Sequence, residues 1–144
     1  MKRYLSKVVF LGVLVLFLAG FVAADVVIVE FHAAAGYNRV ELTWKVSQET
    51  SVSGYQVQRS TDGQNFLAID FVKASSTPAS PANPKSYQYV DRTIFKPTGR
   101  TFYYRLGIKD ADSDEIISFS PTAIVSPQIS GVHHTWGSIK AMFR

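Results

Sequence analysis

The chain has 144 residues, 15 basic and 11 acidic, and no cysteine. Without cysteine a disulfide framework is excluded, and the length suits one domain able to bury a core without covalent staples. The net charge of +4 points at first sight to an anionic partner, but its distribution removes that reading.

Three of the basic residues, Lys2, Arg3 and Lys7, precede an unbroken apolar run from Val8 to Val22, and Val22-Ala23-Ala24 supplies small residues for a peptidase. This is the pattern of an export signal, and cleavage is expected after Ala24, giving a signal peptide over 1–24. The alternative is an uncleaved anchor, for which the run is short, since a span takes about 20 apolar residues. Without the leader, 12 basic residues stand against 11 acidic ones. Nucleic-acid binding, which needs a clustered positive surface to displace counterions, loses its support. Membrane contact is expected only through the leader before cleavage. Export without cysteine or an Asn-x-Ser/Thr acceptor leans toward a bacterial secreted protein, in the periplasm, on the cell surface or in the medium.

The remaining chain reads as short strands separated by turn chemistry. Val26 to Ala33 is rich in β-branched residues, and Gly36-Tyr37-Asn38 is a turn. Val40, Leu42, Trp44 and Val46 alternate with Glu41, Thr43 and Lys45, a half-buried strand. Gln48 to Ser53 is a polar connection. Tyr55 and Val57 alternate with Gln56 and Gln58 up to Asp62-Gly63, a dipeptide that predicts a tight type I′ hairpin. Phe66, Leu67, Ile69, Phe71 and Val72 form the next strand, with less regular alternation. Ser75 to Pro84 is a loop with three prolines. Tyr87 and Tyr89 alternate again toward Asp91, and Lys96-Pro97-Thr98-Gly99 is a turn. Phe102, Tyr104, Leu106 and Ile108 alternate with Tyr103, Arg105, Gly107 and Lys109. After an acidic turn, Ile116 to Val125 is the last strand, interrupted by Pro121 at an edge or bulge. Seven strands at this spacing predict an all-β sandwich over 25–126, followed by a tail over 127–144.

The segments VELTWKV (Val40–Val46), Glu49, GYQVQRSTDGQNF (Gly54–Phe66), YQYVD (Tyr87–Asp91), FYYRLGIKDAD (Phe102–Asp112) and FS (Phe119–Ser120) resemble, in order and spacing, the fibronectin type III-like (immunoglobulin-like) modules of secreted bacterial proteins. They speak to the fold and are nearly silent about function. The resemblance implies a seven-stranded Greek-key sandwich with Trp44 as the core tryptophan of the second strand. Phe102 stands where such modules carry a corner tyrosine. A phenyl ring has no hydroxyl, so either the register is off by one or the corner hydrogen bond is missing. Set beside these modules, the sequence is expected to carry a short tail in the place of the sorting domain that often follows them.

Candidates for chemistry are few. Asp110, Asp112, Asp114 and Glu115 form an acidic turn that fits either a solvated hairpin or a calcium site, but the EF-hand spacing fails. His32, His133 and His134 lack the convergent spacing of a metal centre, and adjacent histidines on extended chain point to opposite faces. Trp44, Tyr55, Tyr87, Tyr89 and Tyr104 fall on inward positions, leaving Tyr103 as the available ring for sugar stacking. No nucleophile elbow, zinc-protease motif or phosphate loop is present. No catalytic, cofactor or metal residues are therefore expected, and the chain reads as not an enzyme.

In the tail, Trp136, Ile139, Met142 and Phe143 recur at three- and four-residue steps, the pattern of a short amphipathic helix. Such a segment needs a surface, either its own sandwich or a partner. These residues are the candidate docking positions, with Trp136 as anchor, and Lys140 and Arg144 suit an acidic partner. The expected function is a secreted, non-catalytic interaction or structural module that binds a protein at the bacterial envelope. The alternatives are a carbohydrate-binding accessory module taking a glycan, and a subunit that assembles through its tail.

Overall fold

A computed structural model describes residues 24–94 and 99–127. These form eight strands: β1 (Asp25–Gly36), β2 (Arg39–Thr50), β3 (Val52–Ser60), β4 (Leu67–Lys73), β5 (Lys85–Asp91), β6 (Phe102–Asp110), β7 (Ile116–Phe119) and β8 (Ala123–Val125). They make two antiparallel sheets, β1-β2-β5 with three strands, and a five-stranded sheet ordered β4-β3-β6-β7 in which β8 also pairs with β6. The chain is all-β and sandwich-like, and no helix occurs among the described residues. Residues 1–23, all but the last position of the expected signal peptide, and the tail residues Trp136, Ile139, Met142 and Phe143 lie outside the described residues.

Alternation builds the interior as the sequence predicts. Val40, Leu42, Trp44 and Val46 of the smaller sheet face Tyr55, Val57, Phe102, Tyr104, Leu106 and Ile108 of the larger one, all buried. Trp44 stacks on Tyr87 with ring centroids 5.5 Å apart at 16° and meets Tyr55 edge-on at 5.5 Å. Offset and edge contacts of this kind follow from the ring quadrupole and add about 1 kcal/mol each beyond burial.

Three local expectations are corrected. Asp62-Gly63 does not make a type I′ turn, which needs positive φ at both residues; only Gly63 has it, at 74°. The connection runs instead from Thr61 to Phe66, because Asp62 accepts from the amides of Gln64 and Asn65 and Ser60 Oγ from those of Asp62 and Gly63. Gln48 to Ser53 is not a loop, since β2 runs to Thr50 and β3 starts at Val52, with Ser51 alone at φ 54°. The last strand is two strands, because Pro121 has no N–H to continue the ladder. The proline-rich loop is a loop as expected, and it reaches the core through buried Ala79.

A buried carboxylate ties the layers together near each end. Glu49 accepts from Tyr55 OH (2.5 Å), Tyr87 OH (2.6 Å) and the amide of Ala79 (3.0 Å), so one side chain binds both sheets and the 75–84 loop. Burial and the bond to Glu49 push the Tyr87 hydroxyl up to about 12, and the same causes push Tyr55 up further. At the opposite end Asp91 accepts from Arg59 Nη1 (2.7 Å), Tyr104 OH (2.8 Å), and the amide (2.8 Å) and hydroxyl (2.7 Å) of Thr93. Burial opposes the charge on Asp91, but these donors prevail and hold its carboxyl below the usual range. Phe102 is buried without a hydroxyl, and Tyr104, two residues further on the same face, supplies the hydrogen bond between the layers.

Candidate functional site

The outer face of the five-stranded sheet follows from register. Ser60, Gln58, Gln56 and Gly54 of β3 lie opposite Tyr103, Arg105, Gly107 and Lys109 of β6. Two of the eight are glycines, and both are occupied from above. A Cβ on Gly54 would come within 2.5 Å of the Phe71 ring and 2.4 Å of the Val72 carbonyl, and one on Gly107 within 3.0 Å of Ile116. Phe71 and Ile116 therefore lie flat across the sheet where any other residue at 54 or 107 would lift them.

Arg105 is the centre of this face. Its guanidinium carbon sits 4.1 Å from the Phe66 ring centroid and 3.9 Å from that of Phe119. Its Nε donates to Gln58 Oε1 at 2.8 Å, and Gln58 Nε2 donates in turn to Gln56 Oε1 at 2.8 Å. The cation is thus fixed in place by two rings and an amide ladder, with cation–π attraction on both sides. Lys109 lies 5.8 Å from the Phe71 centroid and pairs with Asp114 at 2.9 Å. Around this frame Phe71, Phe119 and Ile124 are 43%, 49% and 63% exposed. Exposed apolar side chains gathered on one face mark an interaction surface more often than scattered ones do.

The smaller sheet presents a different outer face. Glu30, Lys45 and Ser86 form one cross-strand row, and His32, Thr43 and Gln88 the next. They line a concavity of about 460 Å³, together with Trp44 and Tyr87.

The sequence-predicted positions distribute as follows. Trp44, Tyr55 and Tyr104 are buried, and Tyr87 and Tyr89 pack on the core. Tyr103 faces outward and lies against the Gly63 turn. His32 is on the outer face of β1, while His133 and His134 lie outside the described residues. In the acidic turn Asp110 accepts from the amides of Asp112 and Ser113, and Asp114 pairs with Lys109. No group of three or more histidines or carboxylates converges as a metal site among the described residues.

Sequence reasoning missed Phe66, Phe71, Phe119 and the clamped Arg105. In the sequence Phe71 reads as one of the apolar residues of an irregularly alternating strand, not as an exposed ring. A register shift in the β3–β4 pairing, opposite Val57 and Gln58, separates Ile69, which packs on the core, from Phe71, which faces out beside Gln56. The irregular alternation of that segment was the available signal.

No family model matches the chain, and no curated protein matches it. A solved structure does: the β-1,2-glucanase from Parabacteroides distasonis, with a TM-score of 0.53 and 18% identity over 78% of this chain. The chain spans 14% of the length of that one. At this identity the likeness concerns the fold alone. It nevertheless corrects the expectation that the chain is not an enzyme, because a sandwich of this shape occurs within a chain described as a glucanase. The fold and the missing motifs do not place the protein outside enzymes.

Proposed function

We propose that this protein is an exported β-sandwich interaction module of the fibronectin type III-like kind, acting at the bacterial envelope or surface through the outer face of its five-stranded sheet. The strand order supports the fold assignment, and the charged leader followed by an apolar run supports export. The observation that carries the functional reading is Arg105 held between Phe66 and Phe119 amid exposed Phe71, Phe119 and Ile124. Clamped arginine and aromatic rings are the residue types that anchor protein interfaces. With Lys73 beside Gly54 on the same face, the charge suits a partner protein with an acidic, partly apolar surface.

The test is saturable binding of the purified chain to envelope fractions of the source cell. Replacing Phe71 and Phe119 by serine removes two half-exposed rings together with their contacts to Lys109 and Arg105, so the variant should melt a few degrees lower but stay folded, while affinity falls about tenfold or more, the effect of losing interface anchors. Unchanged binding by that double variant, once shown to be folded, rejects the face.

A second reading, a carbohydrate-binding accessory module, draws support from one finding. The solved neighbour acts, by its description, on a glucan, and this chain matches a module-sized part of it.

A further inference from the structure

We infer that the outer face of the three-stranded sheet is a binding site for a neutral polyol, a free sugar or a stretch of glycan, seated in the trough between Glu30, His32, Thr43, Lys45, Ser86 and Gln88. The inference rests on the accessory reading and gives it a place on the molecule.

Three observations carry it. First, the six side chains come from three adjacent strands in two registered rows and, with Trp44 and Tyr87, line an open concavity of about 460 Å³, the scale of small-molecule sites. Strands position side chains more firmly than loops do, and stacked Trp44 and Tyr87 pack on the core side of the same sheet.

Second, the hydrogen-bonding capacity of this trough is open. Among the described residues, Glu30, His32, Thr43, Lys45 and Ser86 make no side-chain hydrogen bond or ion pair, and Gln88 donates outward to Glu41. Glu30 and Lys45 are register partners, yet no ion pair joins them. The opposite outer face behaves otherwise: Gln56, Gln58 and Arg105 are bonded in series and Lys109 is paired. Polar side chains on a sheet usually face solvent singly. Here a concavity collects a carboxylate, an ammonium, an imidazole and two hydroxyls with their partners still to be supplied, and an amide whose oxygen is free to accept.

Third, the mixture of groups selects the ligand class. A carboxylate ligand would meet Glu30 and an ammonium ligand would meet Lys45, each about one strand spacing, roughly 4.8 Å, from the group that attracts it. A neutral ligand avoids both conflicts. Its hydroxyls can donate to Glu30 and accept from Lys45, and each can do both toward Thr43, Ser86 and Gln88. A polyol carries such hydroxyls at close, regular intervals.

The experiment is amide-shift mapping on the nitrogen-15-labelled full chain. The probes are glucose, a neutral glucose disaccharide and a neutral glucose hexasaccharide, with glucuronate and glucosamine as charged controls. The expected result is saturable shifts at Glu30, His32, Thr43, Lys45, Ser86 and Gln88, with dissociation constants on the order of 10 mM or tighter for a neutral sugar. Preference for the hexasaccharide identifies a polymer as the source, and equal affinity per ring a free sugar; either supports the site. Thr43→Val and Ser86→Ala alter exposed positions and should each weaken binding about threefold or more, while Arg105 and Gln58 signals stay where they are. Tighter binding of either charged sugar overturns the polyol assignment. Shifts clustered on Tyr103, Arg105 and Phe119 remove the trough but leave the accessory reading standing. No saturable shift with any sugar removes both.

Discussion

The two ends of the sandwich solve one problem with opposite chemistry. Each must hold a buried carboxylate between the sheets. At one end Asp91 meets a guanidinium, a phenol and a threonine that donates twice. At the other end Glu49 meets two phenols and an amide, with no cation among its partners in the described residues. The difference lies in what those partners can do instead. A tyrosine hydroxyl donates or accepts, so the Glu49 end can rearrange around a neutral residue, whereas Arg59 can only donate. The Glu49 arrangement tolerates change, and the Asp91 arrangement requires an anion.

Isosteric neutralisation makes the contrast measurable. Asp91→Asn leaves Arg59 without its counter-charge and turns an amide toward donors, and urea denaturation should show a loss of about 3 kcal/mol. Glu49→Gln keeps an acceptor for one tyrosine and offers a donor to the other, so its loss should be about 1 kcal/mol. A larger loss at position 49 than at 91 breaks the comparison. Removing single hydroxyls sharpens it: Tyr104→Phe and Tyr87→Phe should each lose about 1 kcal/mol, with the Tyr104 change the larger because that hydroxyl is fully buried.

The dependence on pH extends the same reasoning. Asp91 has a depressed pKa in the folded chain, so the stability it contributes is complete above the unfolded value of about 3.9 and is lost as pH falls through the folded one. Urea midpoints measured from pH 5 downward should fall, and Asp91→Asn should flatten that slope. The tyrosines act on the other side. Their raised values mean that stability complete below about pH 10 is lost as pH climbs through the folded values, with Tyr89 raised as well and Tyr87 reaching about 12. Absorbance of tyrosinate should therefore show a late fraction that appears together with unfolding. Full ionisation of every tyrosine in a still folded chain at pH 11 contradicts the hydrogen bonds assigned here.

Regular alternation made most of the fold legible. β2 and β6 could be read directly, as could the inward placement of Trp44, Tyr55 and Tyr104, because burial on one side leaves a two-residue period in the sequence. Wherever a local hydrogen bond or a register shift overrides that period, the reading failed. Asp62 and Ser60 capped a longer loop than the dipeptide foretold. The shift in β4 turned Phe71 outward and hid the face built on Arg105. Glu49 was legible as part of a resemblance, but its hydrogen bonds to Tyr55, Tyr87 and Ala79 depend on residues 6, 38 and 30 positions away that no periodicity connects.

Pro121 has one more consequence. It divides the border of the larger sheet into β7 with four residues and β8 with three. Neither offers a run of free amides long enough to template an incoming chain. Phe119 and Ile124 can thus stay exposed beside that border without its serving as a seed for fibril growth.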